Sequence, residues 1–194
     1  HAITYLLSDP RIPDRSSAIL GVGEDPTARL KDDLLTLTRW GANLLAVPCN
    51  TAHYFIDRFR DELPVPLVHI IEETVKAAAT LSPKGAWLTA TLGTMRSGLY
   101  QKEAERQGYS FFIPPEEAQQ QVQRSIELVK SGGKDEGGRL LRNVVEGLWS
   151  ERDLAVCAAC TELPLAYDAS GLPQEKTVSS LGALCEACLR RIYG

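Results

Sequence analysis

Methionine, positive charge and long apolar runs are all scarce in this chain. Met95 is the only methionine among 194 residues, so His1 is not a translation start and a preceding segment is expected. Asp and Glu outnumber Lys and Arg by 25 to 21, and the isoelectric point is near 5.5. That balance argues against a protein that works by neutralising nucleic-acid phosphates or an anionic membrane. Any cation needed for a small anionic ligand must therefore be local. No apolar stretch approaches the roughly 20 residues that span a bilayer, and no basic segment followed by an apolar one forms a leader. A soluble, cytoplasmic protein is expected, with no nucleic-acid or membrane partner. Five cysteines, an odd number, do not make a disulfide framework, so free thiols are expected. With 44% hydrophobic residues the chain can bury a real core.

The pattern along the chain alternates strand and helix. Ile3 to Leu7 is β-prone and is followed by a proline-rich turn that puts Arg15 near a strand exit. Asp25 and Pro26 open a helix carrying Leu30, Leu34 and Leu37, which Gly41 is placed to stop. Asn43 to Pro48 is apolar without alternation, as in a strand buried on both faces. Short strands are predicted at Leu67 to Ile70, Ala86 to Ala90, Tyr109 to Ile113 and Leu154 to Ala159. Helices are predicted over Ala52 to Leu63, Glu72 to Leu81, Thr94 to Gln107, Pro115 to Ser131, Glu136 to Ser150 and Leu181 to Tyr193. The fold class expected is α/β with mainly parallel sheets.

An internal echo divides the chain. Asn43-Leu-Leu-Ala-Val-Pro-Cys49-Asn-Thr and Leu154-Ala-Val-Cys-Ala-Ala-Cys160-Thr-Glu are each a buried strand ending in Cys and a Thr-containing polar turn. Two such units point to two α/β domains facing each other across a cleft. Ligands of parallel sheets bind beyond the strand C-termini. The expected division is residues 1–80 plus 178–194 for the first domain and 81–177 for the second, with the last helix returning to the first.

Cys49 lies where a strand turns into a helix, so backbone N–H groups and the helix dipole can stabilise a thiolate. Cys160 stands in a matching context. Taken alone, either is equally well read as a small buried hydrophobe. Two other chemistries compete. Cys157-Ala-Ala-Cys160 and Cys185-Glu-Ala-Cys188 make a pair of CxxC motifs, the spacing of a zinc-stabilised binding module. Against it, positions three apart on a strand face opposite ways, and Cys185 and Cys188 fall in a helical pattern. His53, four residues after Cys49, would be the general base of a cysteine hydrolase, although no orienting partner is evident. Thr91-Leu-Gly-Thr94-Met-Arg-Ser97-Gly follows a strand and precedes a helix, where hydroxyls and N–H groups can hold a carboxylate or simply cap the helix.

Pro48-Cys-Asn-Thr-Ala-His53, Leu92-Gly-Thr-Met-Arg-Ser-Gly-Leu-Tyr-Gln101 and Cys160-Thr-Glu-Leu-Pro164, in this order and spacing, closely resemble the aspartate/glutamate racemase family. Arg11-Ile-Pro-Asp-Arg15 and Pro64-Val-Pro-Leu-Val-His-Ile70 extend the resemblance over nearly the whole chain. It implies two pseudo-symmetric α/β domains with the active site in the cleft between them. One cysteine from each, Cys49 and Cys160, would face the substrate without pyridoxal phosphate or metal. By the same resemblance, Arg15 and Lys130 correspond to the arginine and lysine that bind the side-chain carboxylate in aspartate-specific members. The family begins with a strand and a Gly-Gly-Met-Gly-like loop, for which this chain shows no counterpart. Dimers are common in the family, so a homodimer is expected.

What the resemblance implies is an amino-acid racemase acting first on aspartate, with glutamate or a wider set as the extension. Racemisation needs proton carriers on both faces of the α-carbon, and a thiolate opposite a thiol meets that need. Asn50, Thr51, Thr94 and Thr161 are the candidate donors around the α-carboxylate as charge develops. Thr91 and Glu162, in the same turns, complete the expected substrate-binding set.

Overall fold

The computed structural model describes residues 1–194. In chain order the elements are α1 (Arg15–Ile19), α2 (Thr27–Arg39), β1 (Leu45–Ala46), α3 (His53–Ile56), β2 (Leu67–Val68), α4 (Ile70–Leu81), β3 (Ala86–Ala90) and α5 (Leu92–Ser97). There follow α6 (Leu99–Arg106), β4 (Phe111–Phe112), α7 (Glu116–Lys130), α8 (Lys134–Glu151), β5 (Val156–Ala159), α9 (Leu163–Ser170), β6 (Thr177–Ser179) and α10 (Ser180–Tyr193). The α/β class holds. One sheet pairs β1 with β2, the other runs β4-β3-β5-β6, and every pairing is parallel. No helix is long and apolar enough to cross a membrane.

The four-stranded sheet is covered on both faces, and the strand period of two sorts its side chains. Ala86, Leu88 and Ala90 of β3 and Cys157 and Ala159 of β5 pack with α4, α6 and α10. Trp87, Val156 and Ala158 point the other way, into a core made with α7, α8 and α9. Burial on both faces explains why these strands read as continuous apolar runs. A third core, formed by Leu30, Leu34, Leu45, Ala52, Phe55, Ile56 and Phe59, ties α2 and α3 to β1. The last helix packs against α4.

Several expectations need correction. Ile3 to Leu7 forms no strand: it pairs with nothing, and Ile3 and Leu6 are exposed. β-propensity reports fit to a sheet surface, and here no neighbouring strand supplies one. The run from Asn43 to Pro48 is not buried on both faces either, since Leu45 is buried but Ala46 and Pro48 are exposed in a sheet of only two strands. Ala52 to Leu63 is a four-residue helix followed by turns and a 3-10 turn at Arg60–Glu62, because Phe55, Ile56 and Phe59 must all reach one small core. The helix predicted from Thr94 to Gln107 breaks at Gly98, whose φ of 69° ends α5 and begins α6. Ile70 belongs to α4 and not to the preceding strand, since His69 is the N-cap. Elements α1, α9 and β6 had no sequence reading.

Candidate active site

The C-terminal ends of β1, β3 and β5 open onto one cleft, the place where parallel sheets bind ligands. The turn after β1 contributes Cys49, Asn50 and Thr51, the end of β3 contributes Thr91, and the turn after β5 contributes Cys160, Thr161 and Glu162. Asp14, Arg15 and Ser16 enter from the start of α1, and Lys130 from the last turn of α7. Residues from both sheets thus meet in one lining. Of the residues expected to catalyse or to bind substrate in the racemase reading, only Thr94 is not in it. Thr94 is fully buried behind the cleft, where its hydroxyl lies 2.9 Å from that of Thr51 and accepts from Thr91 at 3.1 Å. Its own N–H donates to the Thr91 hydroxyl, the N-cap of α5. It braces the other two threonines. Asp14 and Ser16 had no place among the candidates; Asp14 sits inside the quoted Arg11 to Arg15 string, whereas nothing in the sequence marked Ser16.

The two thiols differ in surroundings. Cys49 is half-buried in the turn. Cys160 is buried, and its thiol donates to Glu162 Oε2 at 2.9 Å; Thr161 Oγ1 donates to the same oxygen at 3.2 Å. Burial, then the adjacent Glu162 carboxylate, push the Cys160 thiol well above its ordinary range, while Lys130 opposes them. Both effects favour the thiol over the thiolate at Cys160. The third thiol near this strand, Cys157, is fully buried on the opposite face of β5, away from the cleft.

Positive charge is local, as the acidic composition requires. Arg15 is the first residue of α1, and its Nη1 donates to the Pro13 carbonyl at 3.3 Å. Asp14 caps that helix by accepting from the Ser17 N–H at 2.7 Å; burial raises its carboxyl, but the hydrogen bonds from Ser17, then Arg15 and Lys130, hold it below the usual range. The short helix α1 lies directly on α5, and the approach is possible because residue 93 is glycine. A Cβ there would stand 2.7 Å from Ser16 Oγ and 2.8 Å from Ser16 Cα. The second contact is backbone, so Gly93→Ala must displace the start of α1. It is expected to destabilise the protein by about 1–3 kcal/mol, an overpacking cost, readable as a lower urea midpoint at unchanged slope. An unchanged midpoint would mean that α1 is not held where it is seen.

Neither competing chemistry is assembled. Cys157 and Cys160 face opposite sides of β5, Cys185 is exposed on α10, and no three His, Cys, Asp or Glu side chains are grouped as metal ligands. The two CxxC motifs are therefore not brought together as one ligand set. His53 does not address the Cys49 sulfur: its Nδ1–H donates to the Cys49 carbonyl oxygen at 2.9 Å.

His53 is fully buried, its Nε2 has no hydrogen-bond partner, and its ring stands edge-on to His69 at 4.4 Å. His69 is itself engaged, with Nε2–H donating to Asp57 at 3.0 Å and Nδ1 accepting from the Glu72 N–H. Burial, then the neighbouring His69, lower the His53 pKa from 6.5 to about 3. The folded protein keeps this ring neutral over a range in which the unfolded chain takes up a proton. Its contribution to stability is therefore complete above 6.5 and falls as pH drops toward 3. The slope is about 1.4 kcal/mol per unit of pH. Urea unfolding from neutral pH to about pH 4 should show a steeper loss for the wild type than for His53→Gln. Equal slopes would exclude a buried neutral histidine.

A model of the Asp/Glu/hydantoin racemase family matches residues 1–187. The broad specificity amino-acid racemase RacX of Bacillus subtilis is 30% identical over 137 residues, which are 71% of this chain and 60% of RacX. The chain thus spans about 60% of the length of that relative. Among solved structures, Picrophilus torridus aspartate racemase matches with a TM-score of 0.80 and 25% identity, over 96% of this chain and 78% of that one. An aspartate racemase homologue from Pyrococcus horikoshii OT3 matches with a TM-score of 0.69 and 26% identity, over 87% of this chain and 75% of that one.

Proposed function

The chain belongs to the Asp/Glu/hydantoin racemase family, and on that footing we propose that it is an amino-acid racemase that inverts the α-carbon with Cys49 and Cys160, without a cofactor. The observation that carries this is the meeting of two unlike thiols in one cleft, Cys49 half-buried in its turn and Cys160 buried with its S–H donating to Glu162. On this reading the halves facing each other are residues 1–80 with 178–194 and residues 81–177. Their similar strand-turn units each deliver one thiol. A homodimer is the expected assembly.

With substrate between the sulfurs, the Cys49 thiolate removes the α-proton and becomes a thiol. The C–H electron pair is left on the α-carbon and delocalises into the carboxylate. The Cys160 S–H bond then breaks as its proton is delivered to the opposite face, leaving a thiolate. The pair therefore ends with its single proton on the other sulfur, poised for the reverse direction, and its apparent pKa values belong to the pair. Charge developing on the α-carboxylate needs nearby donors, for which Asn50, Thr51 and Thr161 are placed. A substrate ammonium fits beside Asp14 and Glu162, where it would offset the carboxylate that disfavours a thiolate at Cys160.

Aspartate is the substrate we favour, because Arg15 and Lys130 bring two cations to a cleft with one carboxylate more to satisfy than a neutral amino acid has. Arg15 offers bidentate hydrogen bonds and Lys130 a point charge. Incubation of the protein with L-aspartate in deuterated buffer, followed by proton NMR and chiral chromatography, tests the proposal. Loss of the α-proton signal together with D-aspartate is the expected result. Inversion of other amino acids but not aspartate or glutamate would remove the roles given to Arg15 and Lys130. No exchange with any amino acid would remove the racemase assignment.

A further inference from the structure

Behind the cleft, the side chain of Asn50 is held by two residues that line no part of it. Tyr100 Oη donates to Asn50 Oδ1 at 2.6 Å, and Asn50 Nδ2 donates to Ser180 Oγ at 3.0 Å. Tyr100 and Ser180 are fully buried and Asn50 is 2% exposed. The three come from separate parts of the fold: the turn after β1, the first turns of α6, and the first residue of α10. The Tyr100 ring is itself fixed edge-on against Phe111 at 5.7 Å.

An amide carries one carbonyl oxygen and two N–H bonds, and Tyr100 and Ser180 engage the oxygen and one N–H. The second N–H is left for a ligand in the cleft that Asn50 lines. We propose that Tyr100 and Ser180 are positioning residues, which hold the Asn50 amide in place so that this N–H is offered to the substrate's α-carboxylate. The proposal rests on the racemase reading for its consequence, but the locking itself does not. Without the tyrosine hydroxyl, Asn50 Oδ1 would be a buried acceptor with no donor, and the amide would turn to find one.

The test compares Tyr100→Phe, Ser180→Ala, Asn50→Ala and the double variant Asn50→Ala with Tyr100→Phe. In the wild-type background, Tyr100→Phe should lower kcat for aspartate inversion about tenfold, the value of one hydrogen bond, and move KM much less. In the Asn50→Ala background the same change should move kcat by less than about twofold, since the shared partner is gone. Equal losses in both backgrounds would show that Tyr100 acts only through the general fold and would overturn the proposal. A second readout needs no turnover. The Asn50 side-chain amide, identified in ¹⁵N spectra by its loss in Asn50→Ala, should be slow to exchange and widely split in the wild type. It should revert toward free-amide shifts in Tyr100→Phe and in Ser180→Ala. Unchanged amide signals would overturn the locking even if the protein racemises nothing, whereas absence of racemisation alone would count against the function and not against the lock.

Discussion

Replacing either Cys49 or Cys160 by serine should lower the rate of aspartate inversion by about 10²–10⁴-fold, the usual contribution of a positioned acid or base. The loss should be deep for both, because inversion uses both faces of the α-carbon in every turnover. An alcohol is a far weaker acid than a thiol, so serine supplies neither the base nor a matched proton donor. The two variants should nevertheless differ in what they retain. Cys160→Ser keeps Cys49 as the base and should still exchange the α-hydrogen of the enantiomer that presents it to Cys49, without inverting it. Cys49→Ser should show the opposite handedness at a lower rate, because burial and Glu162 disfavour a thiolate at Cys160. Cys157→Ala, on the far face of β5, should leave inversion within about twofold, as expected of a site with no shared partner. A Cys160→Ser protein that inverts aspartate at the wild-type rate would rule out the two-thiol mechanism.

Arg15→Gln should lower kcat/KM for aspartate by about 10²-fold, since truncating one partner of a charge pair costs roughly 2–5 kcal/mol. For alanine, which has no second carboxylate to bind, the same change should have a small effect. The decisive quantity is therefore the ratio of the two, measured by chiral chromatography with each substrate under identical conditions. Gln is shorter than arginine but keeps a planar hydrogen-bonding group without the charge, so a collapse of the ratio is attributable to the lost guanidinium. Parallel losses for aspartate and alanine would mean that Arg15 supports the shape of the cleft at the start of α1 and does not read the side-chain carboxylate.

Alternation of strand and helix, the parallel sheets and the opposed faces of Cys157 and Cys160 could all be read along the chain, because each depends on a local period. The members of the cleft were legible for a related reason: parallel strands present their C-terminal turns on one side, so polar residues just after Pro48, Ala90 and Ala159 are brought together by topology alone. Where the local pattern misled, tertiary packing had the final say. Ile3 to Leu7 has the composition of a strand without a strand beside it, and Ala52 to Leu63 has the apolar content of a helix but must fold around the small core under β1.

Short-range pattern along the chain was enough for the α/β class, the family and two cysteines in the turns that follow strands. Folding in three dimensions added that burial and Glu162 disfavour a thiolate at Cys160, that Thr94 braces the cleft from behind, that His53 is sealed away from solvent, and that Tyr100 and Ser180 grip Asn50 from 50 and 130 positions away. These follow from burial and from hydrogen bonds between distant segments. Desolvation and pairing are properties of the packed interior, and no window of sequence carries them.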